Sequence, residues 1–465
     1  MKRRDLIRLA PLSLAGLAGM TAKSFGAETL SGASTGEKEP LALTYSKKVR
    51  ERLTWIRDTQ SQNLMEASWR IAETVQRGNT CYQSSWDAGH TEGDSWPDRN
   101  GEPEILQPRF NLNNAREGDL LLASGQFIWS EEFAKKNVYL IACPSSWSGD
   151  ALMAELLRDD IQNQKLRPYA DLFIENRATA LGGLVNIPGM PVPVGPVSGI
   201  VGKTTLWMML SDACRILSKK GVSVAVKGDE PKVTGAQVDW RNFAGWVKPG
   251  DPLMDNYFDE VMRQIELVFA ELGTIRKIGE MCADTALRGG IVYGYSRYNS
   301  IAGEADTRRS GLALTRGVYG SRDKQTENFA GTSKDIVVMG ITKPDDEVDL
   351  KFLDLFKKRG VPVVSLGAMT RSHAVPAGRT VPKEAVLSAG KMSDTYGLFA
   401  VPGFDQRICP TSGVLLDHLW WTTMMSFVES YMAKSGGNIP GVYLSGAVKG
   451  GMEHLYRMQS LYSNQ

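Results

Sequence analysis

The chain runs one order of elements twice, and no other feature restricts its fold as much. Each half opens with a predicted long amphipathic helix, over 49–78 and again over 257–289. Apolar residues recur at helical spacing in Leu53, Ile56, Leu64 and Trp69, then in Val261, Ile265, Val268 and Leu272. Both helices end on Arg-Gly (Arg77-Gly78, Arg288-Gly289), where glycine can take the left-handed turn that closes a helix. Three apolar runs follow as strands: 80–82, 118–123 and 138–142, then 291–293, 334–339 and 361–366. Between the last two runs, Asp346 to Arg359 reads as a helix stopped by Gly360, and the first half compresses that segment to about Trp129–Lys136. Pro188-Gly189 leads to a Pro-x-Ser-Gly helix over 195–221, and Pro402-Gly403 leads to another over 409–436. Beyond both lies the same tetrapeptide, Ala225-Val226-Lys227-Gly228 and Ala447-Val448-Lys449-Gly450.

Near-continuous apolar strands alternating with helices predict an α/β fold, with a doubly wound parallel sheet covered on both faces in each half. The expected boundaries are 45–250 and 251–465. Such sheets bind ligands outside the carboxyl ends of their strands. The loops at the two mouths are then 83–95, 124–131 and 143–150, and 294–304, 340–348 and 367–376.

Residues 1–27 stand apart from this pattern. A basic segment containing Arg3-Arg4 precedes a short Ala/Gly/Leu-rich run from Leu9 to Gly19, and small residues follow between Ala22 and Ala27. That is the layout of an export signal, and the paired arginines resemble the twin-arginine type, with Lys2 where serine is usual. The apolar run is about half the ~20 residues that span a bilayer, so no stable membrane span is expected. A polar, Gly/Ser-rich lead-in follows over 28–44. The segment 1–27 carries +4 of charge, which leaves the remainder at −2 out of a formal +2. Nothing in that balance calls for a nucleic-acid partner. Five scattered cysteines (Cys81, Cys143, Cys214, Cys282, Cys409) show no C-x-x-C spacing, so no metal site is expected and buried thiols are the simpler expectation.

The second strand-one loop, Tyr293-Gly294-Tyr295-Ser296-Arg297-Tyr298-Asn299-Ser300-Ile301-Ala302-Gly303-Glu304, is similar to the GxGHSxxxAEE loop of the sugar isomerase (SIS) domain family. Arg309-Ser310-Gly311-Leu312, the Pro-x-Ser-Gly helices and the terminal stretch 442–454 resemble further segments of that family. The likeness covers roughly 48–460. It implies two tandem, flavodoxin-like, three-layer domains with parallel sheets, binding a carbohydrate derivative, with aldose–ketose isomerase activity as an extension. The alternative is a non-catalytic sugar-binding or structural protein with degenerate sites. Arg297 and Tyr298 replace the family's loop histidine and serine, and Asp345 and Asp346 would repel a phosphate. A neutral, amino or acidic sugar derivative is therefore the expected ligand, with no cofactor, and a homodimer is left open.

An isomerase needs a base and an acid to move a proton between adjacent carbons. The resemblance offers Glu304 first, then His454 with Glu453 in the terminal segment. The expected ligand-binding residues are Ser296, Arg297, Ser300, Arg371 and Ser412 in the second half. In the first half they are Ser84, Ser85, His90, Ser124 and Ser198. Ser198 and Ser412 read first as helix N-caps, His418 as packing, and the tryptophans Trp86, Trp96, Trp129 and Trp147 as either sugar platforms or loop packing. Gly199 to Thr205 imitates a phosphate-binding loop, but Val197 stands where its first glycine belongs, which argues against ATP. The principal site is expected in the second half, with Lys449–His454 closing over its mouth.

Overall fold

A computed structural model describes residues 39–462 except 86–100, 109, 111, 125–134, 144–169, 179–182, 191, 229–251, 298–299, 307–310, 320–328, 368–376, 391–396 and 445–448. The segment 1–27 expected to direct export, His90, Arg371 and the four mouth tryptophans lie outside these residues. From residue 40 on, the described residues belong to one compact unit.

The first half runs α1 (Leu41–Gln76), β1 (Cys81–Ser85), β2 (Leu106–Pro108), β3 (Leu120–Ser124), β4 (Tyr139–Cys143) and β5 (Leu172–Phe173). A two-stranded antiparallel ribbon, β6 (Gly183–Val185) and β7 (Val194–Pro196), leads into α2 (Ser198–Lys219). The second half runs α3 (Leu253–Ala270), α4 (Leu272–Leu287), β8 (Val292–Ser296), α5 (Ser300–Ala305), β9 (Thr315–Tyr319) and β10 (Ile336–Ile341). It continues with α6 (Glu347–Lys358), β11 (Val363–Gly367), α7 (Val381–Glu384), β12 (Leu387–Ala389), α8 (Ser412–Lys434) and α9 (Gly451–Tyr462). Both five-stranded sheets are wholly parallel, ordered β2-β1-β3-β4-β5 and β9-β8-β10-β11-β12. Numbered within its own half, each reads 2-1-3-4-5, the flavodoxin-like order.

The same local bonds start both sheets. Asp119 accepts from the backbone N–H groups of Thr80 (2.9 Å) and Arg116 (2.8 Å), and Asp335 accepts from Ile291 (2.8 Å) and Thr332 (2.7 Å). The Tyr45 hydroxyl donates to the Pro196 carbonyl at 2.7 Å, and Tyr257 does the same to Pro410 at 3.0 Å. Gly78 and Gly289 close their helices at φ 75° and 78°, conformations that a side chain would strain.

Strands covered on both faces explain the continuous apolar runs. Leu120, Leu122, Ile141, Ile336, Val338 and Val364 face one large core shared with α1, α2, α3, α4 and α8. Alternate residues face two smaller clusters, Leu121 with Leu140 on one sheet and Val337 with Phe352 and Phe356 on the other. The long helices thus form a layer between the inner faces of the two sheets. Within it, α8 is buried on every side from Ser412 to Val428, which is why its sequence lacks a polar face.

Several boundaries differ from the sequence reading. The opening helix starts at Leu41, so the last residues of the predicted 28–44 lead-in are helical. The second opening helix is two helices broken at Glu271, just before Gly273, whereas α1 has no glycine in 36 residues. The strands β2, β5 and β12 escaped the sequence reading because they are two or three residues long, and β9 because Thr315, Arg316 and Gly317 break its apolar run. Val197 and Thr411 occupy the N-cap positions, and neither makes a side-chain cap bond, so Ser198 and Ser412 are first-turn residues and not caps. The shared tetrapeptide is out of structural register. Val226 bridges Pro103 just before β2, and its counterpart is Val442, which bridges Leu312 just before β9.

Candidate functional site

In a 2-1-3-4-5 sheet the crevice opens between the first and third strands, where the chain leaves in opposite directions. In the second half that is between the carboxyl ends of β8 and β10. Three glycines let α5 lie flat against the sheet beside this point. A Cβ on Gly294 would come within 2.6 Å of Ala305, one on Gly340 within 2.4 Å of Ile301, and one on Gly317 within 2.3 Å of the Ala302 carbonyl. The Ser296 hydroxyl, at the end of β8, accepts from the Ala302 N–H at 3.1 Å and fixes the first turn of α5.

Arg297, the next residue, is ion-paired with Asp346, the residue before α6, so the pair bridges the two sides of the crevice. The other Asp346 oxygen accepts from the N–H groups of Val348 (2.9 Å) and Asp349 (3.1 Å). The position at which a helix N-terminus would hold an anion is thus taken by the chain's own carboxylate. Beneath it, the Tyr295 hydroxyl donates to Asp349 at 2.8 Å. Burial, and then the negative charge of Asp346, push the Asp349 carboxyl up to about 8. Burial beside Asp349 likewise holds the Tyr295 hydroxyl well above its ordinary range.

A second cluster lies where α5 meets the central layer. Ser300 donates to Asp417, and Trp421 donates its indole N–H to Glu304 at 2.6 Å. Ser300 and Glu304 are one turn apart on α5, and Asp417 and Trp421 one turn apart on α8, so the two bonds form adjacent rungs. Lys203, from α2 in the first half, pairs with Asp417 at 2.8 Å, with 3% and 1% of the two side chains exposed. Burial raises the Asp417 pKa, and the lysine and Ser300 pull it back while Glu304 opposes them. His418 is buried with both ring nitrogens unbonded, and burial lowers its pKa to about 3.

The structure therefore brings Ser296, Ser300 and Glu304 together on β8 and α5, with the Ser300 oxygen also 3.2 Å from the carbonyl of Gly413, next to Ser412. Glu304 is 7% exposed and sits in a helix rather than in the expected loop. Arg297 lies across the crevice in its pair with Asp346. His454 bonds the Val442 carbonyl at 2.8 Å. Val442 pairs beside the amino end of β9, so this anchorage is at the end of the sheet opposite the mouth and not over it. Glu453 is exposed on α9. Ser85 and Ser124 are register partners at the carboxyl ends of β1 and β3, with Ser84 one residue earlier. Ser198 is buried at the start of α2. Lys203 of the phosphate-loop mimic lies inside a helix and against a carboxylate, an arrangement unlike a nucleotide loop. The five cysteines are free and buried, and burial pushes Cys81, Cys143 and Cys282 up to about 12, where thiolate chemistry is suppressed. Among the described residues there is no cluster of acidic, His or Cys side chains that could hold a metal, and no helix long and apolar enough to cross a membrane.

Sequence reasoning missed Tyr295, Asp349, Asp417, Lys203 and Trp421. A signal for two of them was present: aligned from their Ser-Gly starts, the two Pro-x-Ser-Gly helices place Lys203 opposite Asp417.

No protein-family model matches the chain, and no curated protein matches it. Among solved structures it is similar to the C-terminal domain of glucosamine-fructose-6-phosphate aminotransferase from Francisella tularensis, at 10% identity and a TM-score of 0.47, covering 88% of this chain and 99% of that one. It is also similar to tagatose-6-phosphate ketose/aldose isomerase from Escherichia coli, at 12% identity and a TM-score of 0.39, covering 86% and 94%.

Proposed function

We propose that the protein is an exported, duplicated SIS-like protein that binds an unphosphorylated carbohydrate derivative at the switch point of its second sheet. The observation that carries the choice of ligand is Asp346. Its carboxylate caps α6 and holds Arg297, so a phosphate entering there must displace a charge already satisfied. The Asp346 carboxylate suits the hydroxyls or the ammonium group of a neutral or amino sugar, which donate where a phosphate only accepts. Descent from one duplicated unit is supported by the equal strand orders and by the paired Asp119/Asp335 and Tyr45/Tyr257 bonds.

The test is a thermal-shift panel of neutral sugars, amino sugars and sugar acids, each with and without phosphate. A true ligand at about a hundredfold excess over its Kd stabilises by about 2.7 kcal/mol. The unphosphorylated members should shift the melting temperature more. A larger shift with the phosphorylated members overturns the ligand class, and no shift with any sugar overturns the binding reading. Export rests on the arginine pair. Replacing Arg3 and Arg4 together by lysine should leave precursor in the cytoplasm, and undiminished export would assign another route.

Isomerase activity is the second reading, favoured by the burial of Glu304 and the bond that orients it. Glu304→Gln is nearly isosteric and should retain sugar binding while losing turnover by ~10²–10⁴-fold. A ligand from the panel that takes up no solvent deuterium with the wild-type protein would leave binding alone as the function.

A further inference from the structure

Lys203 and Asp417 each lie five residues after the serine that opens their helix, Ser198 in α2 and Ser412 in α8. They are one position of the repeat, occupied once by a cation and once by an anion. Where the two helices cross in the central layer, that position meets its own counterpart, and the ammonium reaches the carboxylate at 2.8 Å with both nearly excluded from solvent. Trp207 and Trp421 are likewise one position, so the charge difference arises within an otherwise shared register. The contact is one-sided in its consequences. Asp417 passes the interaction on to Ser300, and Trp421, a turn further along, holds Glu304.

We propose that Lys203 is a positioning residue that the first half contributes to the second half's site, setting the placement of α5 and Glu304 through Asp417 and Ser300. Taken from water, Asp417 faces both burial and the negative Glu304; the lysine supplies the opposing charge that keeps it an acceptor for the Ser300 hydroxyl. In the first half the same position is the lysine itself, which cannot accept a hydrogen bond. Among the described residues the relay therefore runs on the second-half side alone. The working unit is then the pair of halves, because the second half alone lacks the cation. This inference rests on placing the site in the second half, but its test uses no sugar, so an empty ligand screen and a failed relay are separate results.

Hydrogen exchange on the full chain, corrected for intrinsic rates, reads the relay in the segment 296–306. In Lys203→Met, exchange in that segment should rise about tenfold or more beyond any rise elsewhere, the equivalent of losing the partner of one buried polar group. The pH below which the segment loosens should also move upward, since the lysine is the foremost of the groups that lower the Asp417 pKa. Ser300→Ala, which cuts the next link and touches no charge, should loosen 296–306 while leaving α2 and α8 protected, and it decides the matter if Lys203→Met does not fold. A folded Lys203→Met protein with unchanged exchange in 296–306, an unshifted pH profile, or an unaffected segment in Ser300→Ala would reduce the pair to a fastening between helices and overturn the proposal.

Discussion

Asp119 and Asp335 are the same residue doing the same work in two sheets, whereas Lys203 and Asp417 share a position and carry opposite charges. The first pair acts inside its own half. Each aspartate ties the segment before one strand to the start of the next, and each half needs that bond whatever its neighbour does. The second pair acts between halves, where a position meets its counterpart. Two lysines or two aspartates there would be a buried like-charge contact, so charged residues at that position must be of opposite sign for the layer to close. The two halves agree where the demand is local, and they differ where they touch.

Removing one member of the inter-half pair should have the largest effect. Lys203→Met leaves Asp417 buried beside Glu304 and should cost about 3–5 kcal/mol in urea unfolding. Replacing both members by leucine should recover most of that loss, because no unpaired charge then remains. If the double variant is as unstable as the single, the pair is not what the two helices require of each other.

The local pair should respond equally in the two halves. Asp119→Ala or Asp335→Ala strands two backbone N–H groups, at about 3 kcal/mol for each variant. Unequal losses would show that one sheet leans on its neighbour, and the fragment-resolved order of hydrogen exchange would say which one.

Two titrations sharpen the difference between α2 and α8 and between the two mouths. His418 occupies the position that Thr204 holds in α2. Its folded pKa of about 3 lies below the ordinary 6.5, so the unfolded chain binds the proton first and stability falls as pH drops from about 6.5 towards 3. His418→Thr should flatten that limb of the melting-temperature profile. Asp349 has the opposite sign. With a folded pKa of about 8 against 3.8, the folded chain holds the extra proton, and stability falls as pH rises between those values. Asp349→Asn should therefore gain on the wild type as pH rises from 5 to 9.

The smallest effects belong to the tyrosines. Tyr45→Phe and Tyr257→Phe each delete one buried hydroxyl bond to a proline carbonyl and should cost about 1 kcal/mol apiece. A clear difference between them in melting temperature would mark the half whose ribbon or turn holds the proline without help.

The sequence by itself determined the elements that depend on neighbours along the chain. Apolar runs at 118–123 and 334–339 are strands because two covered faces require unbroken hydrophobicity. Arg-Gly ends both opening helices because only glycine turns left-handed at no steric cost, and the repeated order predicts two parallel sheets. It also placed Ser296, Ser300 and Glu304 near one another, since they lie within nine residues. Tertiary structure alone decided what those residues touch. Asp346 was legible as a charge at the mouth but not as the cap of α6 and the partner of Arg297, 49 residues earlier. The tetrapeptide at 447–450 matched by composition, yet the backbone pairing that defines the repeat falls on Val442, because a strand bridge is set by position in space and not by side-chain identity. The sequence already argued against a nucleotide loop around Lys203, but only the crossing of α2 and α8 set that lysine against Asp417. Both helices had been placed correctly, but only their packing put the two charges within reach, with little water between them to screen the attraction.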